Sequence, residues 1–466
     1  MRPQLASPVN TEMPDIRPRS GSRFLGLVHL TYAIIGMTLY QDALVSAARA
    51  LRGAPPLQAG DTEITNTISQ MILLSGLLVF LWGYRKVLAR AFRPLLPLLV
   101  LLALCFFSVL WSSYPDITMR RSVTLTICIF FGVYCYFQFG FSRTVELLAT
   151  TTAVLAVLSL LVYFLLPEVG RLTAETYHNA MRGVYGQKNA LGLAMLMAMN
   201  YWLSAIFGGR RLGLLSIIGV VATLACLVMS WAATSLAIFL CVIFLHLQNY
   251  SRRSWRLRIV VLYVAAIILF VIAVGFIAAP VEFLGLFNRD LSFTGRVPLW
   301  IECIKAWLAK PILGYGYAAF WNKDSVLVQR IWKDIVWEAP GAHNGYLDVL
   351  LQLGVVGFAV CLWAWLRVIF GALRAGKKGG FPNICWLVGF IFISVMINLD
   401  EGDQPSADEY ALLLPVILLT LANVPRTAPN AAQRRAVPDS DLVGAAKSEQ
   451  AASVRIATNL RAGGEA

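Results

Sequence analysis

Apolar positions in this chain run together instead of alternating with polar ones. Residues 95–115, 122–142, 189–209 and 259–281 contain no Asp, Glu, Lys or Arg. Residues 212–251 contain none either, a stretch long enough for two helices joined at "SWAATS" (230–235). The hydrocarbon core of a bilayer takes about 20 apolar residues per helix, so these runs predict transmembrane helices and not the core helices of a soluble domain.

The pattern predicts an all-α, polytopic integral membrane protein with about twelve spans. They fall near 24–41, 66–83, 95–112, 122–140, 145–166, 189–207, 212–229, 234–247, 259–279, 346–366, 383–398 and 409–423. The first run lacks a small-residue cleavage site and many spans follow it, so it reads as an anchor and not as a removable signal peptide. Residues 1–23 then form a cytoplasmic N-terminal segment, 24–279 the first nine spans, 280–345 a long outer loop and 346–423 the last three spans. Residues 424–466, rich in Ala, Arg, Pro and Ser and without periodicity, read as a disordered cytoplasmic tail.

Of the 466 residues, 58% are hydrophobic and 14% charged, and the net charge is +14. In a soluble protein that charge would suggest nucleic acid, but its distribution here points to orientation. Alternate connections carry the basic residues: Arg17, Arg19 and Arg23; Arg85, Lys86, Arg90 and Arg93; Arg143; Arg210 and Arg211; Arg252, Arg253, Arg256 and Arg258; Arg374, Lys377 and Lys378. The connections between them hold few, and "LDEGDQPSADE" (399–409) is acidic. By the positive-inside rule both termini are cytoplasmic, and no nucleic-acid partner is implied. The eight cysteines, Cys105, Cys128, Cys135, Cys226, Cys241, Cys303, Cys361 and Cys385, are scattered, with no Cys-x-x-Cys and no Cys-His cluster at metal spacing. They read as small apolar core residues.

Polar chemistry collects on the other face. Within the long loop, "VPLWIECIKAWLAKPILGYG" (297–316) sets Leu299, Trp300, Cys303, Ile304, Trp307 and Leu308 on one helical stripe, with Glu302, Lys305 and Lys310 off it. Such a helix either lies in the membrane interface or packs on the loop's own core. Cations here run against the positive-inside pattern and call for a reason: Arg120 and Arg121, Arg182 and Lys188, Arg289 and Arg296, and Lys305, Lys310, Lys323, Arg330 and Lys333. Arg182, Lys188 and Arg296 lie within a few residues of a helix end, where a lipid-borne phosphate would sit. A guanidinium meets phosphate oxygens bidentately and stays charged. The bland alternative for each is anchoring to lipid headgroups or a surface ion pair.

His343 is one of four histidines and stands at the mouth of an apolar run. On a continuous helix His343, Leu347, Leu350, Gly354 and Gly357 share one stripe, so the glycines would set the packing of the helix and His343 its outer end. Imidazole is the side chain best suited to accept a proton near neutral pH. A histidine that only caps the helix is the alternative.

Five segments in order then resemble the O-antigen ligase and polymerase superfamily of bacterial envelope enzymes, most of all its exopolysaccharide polymerases of the succinoglycan type. They are "SVLWSSYPDITMRRSV" (108–123), "RGVYGQKNALGLAM" (182–195), "LVMSWAATSLAIFL" (227–240), "FTGRVPLWIECIKAWLAKPILGYGYAAFW" (293–321) and "AHNGYLDVLLQLGVVGF" (342–358), the last with His, ten residues and Gly. The resemblance implies a GT-C-like membrane fold and glycosyl transfer without metal or other cofactor at the periplasmic face of the inner membrane. It implies a glycan donor carried on undecaprenyl pyrophosphate, passed to the next lipid-linked repeat unit by polymerases and to lipid A-core by ligases. A flippase and a chain-length regulator of the same pathway would be partners, beside the membrane lipids.

On this resemblance His343 is the general base. Arg182 and Arg296, assisted by Lys188, hold the pyrophosphate, and Arg120, Arg121 and Asn344 are further substrate contacts. Where many relatives carry a basic residue in the Ser-rich junction this chain has Ala232 and Ala233, so no phosphate contact is assigned there. The outward acidic cluster 400–403 is a candidate cation site. A transporter or flippase would instead show internal repeats and ionisable residues at mid-membrane. No repeat is apparent, and a non-catalytic scaffold explains neither His343 nor the outward arginines.

Overall fold

The uncharged runs fold as helices. The computed structural model describes residues 23–41, 91–172, 179–251, 296–377, 384–400 and 407–421, with the single positions 43, 51, 74, 77 and 259. In chain order the helices are α1 (Arg23–Tyr40), α2 (Ala91–Leu110, closing in a 3-10 turn), α3 (Pro115–Phe139), α4 (Phe141–Leu165), α5 (Lys188–Phe207), α6 (Leu214–Met229) and α7 (Ala233–Ser251). They continue with α8 (Arg296–Ala309), α9 (Val326–Ile335), α10 (Gly345–Lys377), α11 (Ile384–Asp400) and α12 (Ala407–Leu421). Among the described residues, α2, α3, α4, α5, α7 and the first 26 residues of α10 are long and apolar enough to cross a bilayer. Helices α1, α6 and α11 contain shorter apolar stretches. The protein is all-α, and the one β pairing among the described residues is an isolated bridge between Arg171 and Met181.

The expected spans overlie α1 to α7 and α10 to α12; those at 66–83 and 259–279 lie outside the described residues. One boundary moves. The span expected from residue 122 begins at Pro115, because proline at the first helical position loses no hydrogen bond and Asp116 suits a helix N-terminus. Arg120 and Arg121 therefore sit within the second turn of α3.

Close approach and a few buried hydrogen bonds hold the bundle together, as expected where lipid leaves little hydrophobic drive between helices. Gly132 of α3 packs on Ile417 of α12, and Gly192 of α5 on Ala232 and Ser235. In the interior Asn200 of α5 donates through Nδ2 to the Trp386 carbonyl of α11 at 3.0 Å, and its Oδ1 lies 3.1 Å from Nε2 of His246 on α7. At one end Glu146 accepts from both Arg143 (3.1 Å) and Arg210 (2.5 Å), and Arg210 also donates to the Tyr201 hydroxyl. Two connections expected on the same face thus meet at a single carboxylate.

The opposite end carries the loop helices. Helices α8 and α9 close over a core of Leu299, Cys303, Phe320, Trp321, Val328, Ile331, Ala339 and Ala342. Of the two expected placements of α8, packing on the loop's own core is what occurs, with a different register. Leu299, Cys303 and Ala306 face inward, whereas Ile304 and Leu308 are 42% and 61% exposed. The expected six-residue stripe spans two adjacent faces, and Ala306 takes the inner position that Ile304 was expected to fill.

Helix α10 departs most from expectation. It starts at Gly345, so His343 lies outside it, and it breaks at Gly354 (φ 63, ψ −163). The break is stitched to residues 311–316. Val355 and Val356 donate to the carbonyls of Pro311 (2.9 Å) and Ile312 (3.3 Å), while Tyr315 and Gly316 donate to those of Leu351 (2.8 Å) and Gln352 (2.9 Å). A Cβ on Gly354 would overlap the Ile312 carbonyl. The continuous stripe from His343 through Gly354 to Gly357 therefore does not form. Gly354 does permit close approach, but of a loop backbone and not of a neighbouring helix. Gly357 packs on Leu353 of the preceding segment. The stitched loop is tied to the α2–α3 corner as well. The Trp111 indole donates to the Leu313 carbonyl (3.1 Å), the Thr118 hydroxyl to that of Tyr317 (2.9 Å), and the Tyr317 amide to the Ser108 hydroxyl (3.0 Å).

Candidate active site

The turn that presents His343 is made of small residues, Ala339, Pro340, Gly341 and Ala342, whose buried backbone groups need partners from elsewhere. Indoles and one carboxylate supply them. The Trp332 Nε1 of α9 donates to the Ala339 carbonyl at 2.8 Å, and the Trp300 Nε1 of α8 to the Ala342 carbonyl at 2.9 Å. The Ala342 amide donates to both oxygens of Asp348, at 3.2 and 3.3 Å. Asp348, 5% exposed in the first turn of α10, also accepts from Trp321 Nε1 at 2.7 Å. Burying a carboxylate is tolerated when donors surround it in this way.

On the other side of His343, Asn344 caps α10. Its Oδ1 accepts from the amides of Tyr346 and Leu347 at 3.1 Å each. That oxygen is committed to the cap, which leaves Asn344 only its Nδ2 for a substrate. His343 itself is left-handed (φ 47) and half-buried, with its ring 5.6 Å from that of Trp337. A non-glycine residue persists in that conformation only when its surroundings over-determine it. Here Ala342 is held on one side and Asn344 on the other.

The expected phosphate-binding cations sit on different elements of the fold. Arg296 is the first residue of α8 and only 7% exposed. It stands one helical turn before Trp300, whose indole bonds the Ala342 carbonyl next to His343. Arg182 is anchored by partners of its own. Its Nε donates to the Val169 carbonyl (2.8 Å) and its Nη2 to that of Glu168 (2.9 Å), in the single turn Pro167–Gly170 that follows α4. Partial burial lowers the pKa of this guanidinium from its ordinary value, and it remains charged at any physiological pH. Its backbone is tied down too: the Arg182 amide donates to Gly170, and the Met181 amide to the Met229 carbonyl that closes α6. Lys188 opens α5. Arg120 is exposed, close to the Thr118–Tyr317 contact; Arg121 is half-buried.

Among the described residues no three His, Cys, Asp or Glu side chains gather as a metal site. Of the acidic cluster 400–403, only the Asp400 backbone is described.

Residues 212–362 match the family described as O-antigen ligase. The match takes in the α6–α7 junction, α8, α9, the His343 turn and the α10 break. Over 342 residues the chain is also 24% identical to the exopolysaccharide production protein ExoQ of Rhizobium meliloti (strain 1021), covering 68% of this chain and 75% of that protein. Both matches support the O-antigen ligase/polymerase superfamily, ExoQ-like. With the apolar helices they indicate a bacterial membrane protein, similar to membrane enzymes of the polysaccharide polymerase or ligase type.

Several residues of this candidate site escape sequence reasoning. Trp300 was expected only on an apolar stripe and Trp321, Trp332 and Asp348 were not singled out, yet they fix the backbone on which His343 rides. A partial signal was present: an acid facing a core of apolar residues, five positions after the histidine.

Proposed function

We propose that the chain is an inner-membrane glycosyltransferase that polymerises undecaprenyl-pyrophosphate-linked oligosaccharide repeat units into exopolysaccharide on the periplasmic face. A hydroxyl of the acceptor unit attacks the anomeric carbon of the donor glycan. The carbon–oxygen bond to pyrophosphate breaks, undecaprenyl pyrophosphate leaves with the bonding electrons, and His343 takes the hydroxyl proton. The leaving group is already activated, so the step needs a base, charge stabilisation and alignment. Arg296 and Arg182, with Lys188, meet the charge on the departing pyrophosphate. Arg120, Arg121 and the Asn344 amide are further substrate contacts. With guanidinium groups in this role no divalent cation is required.

The observation that carries this reading is the bond from Trp300, one turn along the helix that buried Arg296 opens, to Ala342 beside left-handed His343, inside the segment matched to the ligase family. Orientation with both termini in the cytoplasm rests on the basic residues of alternate connections, two of which share one end of the bundle where Arg143 and Arg210 meet at Glu146. A flippase that delivers the lipid-linked unit and a regulator of chain length are the partners such an enzyme would need.

A second reading, transfer to a different acceptor such as lipid A-core, is favoured by the description of the matched family as O-antigen ligase. Purified protein in lipid nanodiscs, given lipid-linked repeat units and chelator, should yield a ladder of lengthened chains. A product only when lipid A-core is supplied would replace the polymerase reading with the ligase one. Restoration of the ladder only by added magnesium would overturn the metal-free chemistry.

A further inference from the structure

We propose that Asp348 is a positioning residue for the reaction, acting on His343 through the Ala342 amide; the proposal rests on the reading of His343 as the base. The geometry is specific. Asp348 presents both oxygens to the Ala342 amide, at 3.2 and 3.3 Å, and one of them also to the Trp321 indole at 2.7 Å. The Ala342 carbonyl is taken by Trp300 at 2.9 Å. The peptide groups on either side of Ala342 are thereby fixed by side chains from α8, α10 and the 317–325 loop. The next residue is His343, whose backbone adopts a conformation that side chains disfavour.

Removing the carboxylate leaves two buried donors without their acceptor, and the simplest relief is rotation of the 341–342 peptide, which carries the freed Ala342 amide. That rotation shifts Ala342 against its Trp300 bond and lets the 342–343 peptide follow, so that His343 returns to an ordinary backbone conformation and its imidazole swings away from the acceptor hydroxyl. Misplacing a catalytic group by about 1 Å costs on the order of 100-fold in rate. The carboxylate does this work as an acceptor. An amide at position 348 keeps one oxygen where both donors meet it, so most of the function survives that change.

The test is steady-state kinetics on the full chain in nanodiscs with lipid-linked repeat units. Asp348→Ala should lower kcat on the order of 100-fold while KM stays within about threefold. Asp348→Asn should stay within about tenfold of the native kcat. Trp300→Phe, which removes only the donor to the Ala342 carbonyl, should also lower kcat at constant KM, and it decides the matter with Asp348→Asn should Asp348→Ala fail to fold. Native kcat in Asp348→Ala or, where that variant does not fold, in Trp300→Phe would overturn the proposal, as would a loss expressed in KM alone or a loss as deep in Asp348→Asn as in Asp348→Ala. Full activity in His343→Ala would bring down the base assignment itself. An inactive His343→Ala beside fully active Asp348 and Trp300 variants would remove only the positioning role.

Discussion

Substituting alanine for Gly354 puts the broken form of α10 to a test of sign. On a continuous helix, glycine is the worse residue, and Gly→Ala would stabilise by about 1 kcal/mol. The structure demands the reverse. At φ 63 and ψ −163 the backbone lies in a region essentially reserved for glycine, so an alanine there is strained by about 1–3 kcal/mol. Its Cβ would also meet the Ile312 carbonyl and the Leu313 amide. Relieving that overlap sacrifices the bonds from Val355 to Pro311 and from Val356 to Ile312, worth about 1 kcal/mol each. The total is a loss of about 3–5 kcal/mol. Unfolding of the purified protein in detergent, followed by the fluorescence of its 13 tryptophans, would read it. Gly26 supplies the control: it is helical, and nothing lies within 4 Å of where a Cβ would sit, so Gly26→Ala should be neutral or slightly stabilising. A midpoint for Gly354→Ala equal to or above that of the native protein would refute the break and restore the straight helix.

Two further expectations concern charge. If Arg296 holds phosphate through a planar fork, Arg296→Lys should lose nearly as much transfer activity as Arg296→Ala, on the order of 10- to 100-fold; full activity in the lysine variant, measured on the same chain-length gel, would point to charge alone. Exposed Lys323 and Arg211 lie at opposite ends of the bundle. In cells, cysteine at position 323 should react with a membrane-impermeant maleimide once the outer membrane is opened, and cysteine at position 211 only after the inner membrane is permeabilised too. The reverse pattern would invert the topology.

The spans were legible because apolar run length reads directly against bilayer thickness. So was the shared face of the Arg143 and Arg210 connections, because charge follows topology. The break at Gly354 was not. "LQLGVVG" has the composition of an uninterrupted helix, and what stops it is backbone supplied by residues 311–316, some forty positions earlier. The register of α8 was half legible. Periodicity identifies an amphipathic helix, but Ile304 and Ala306 compete for the inner face, and the small residue wins where the loop core leaves little room. His343 does stand at a helix mouth, but the packing expected for it needed revision. It does not ride a glycine stripe; it is turned out of the helix and fixed from both sides, by contacts between tryptophans and a carboxylate far apart in sequence.

The most direct measurement of the central claim is chain extension by His343→Ala, purified, inserted in nanodiscs and supplied with undecaprenyl-pyrophosphate-linked repeat units. The ladder of products should collapse to the starting unit, by a factor on the order of 100 or more for the loss of a general base, while thermal unfolding stays close to that of the native protein. A ladder of native length and rate from the folded variant would contradict the role given to His343.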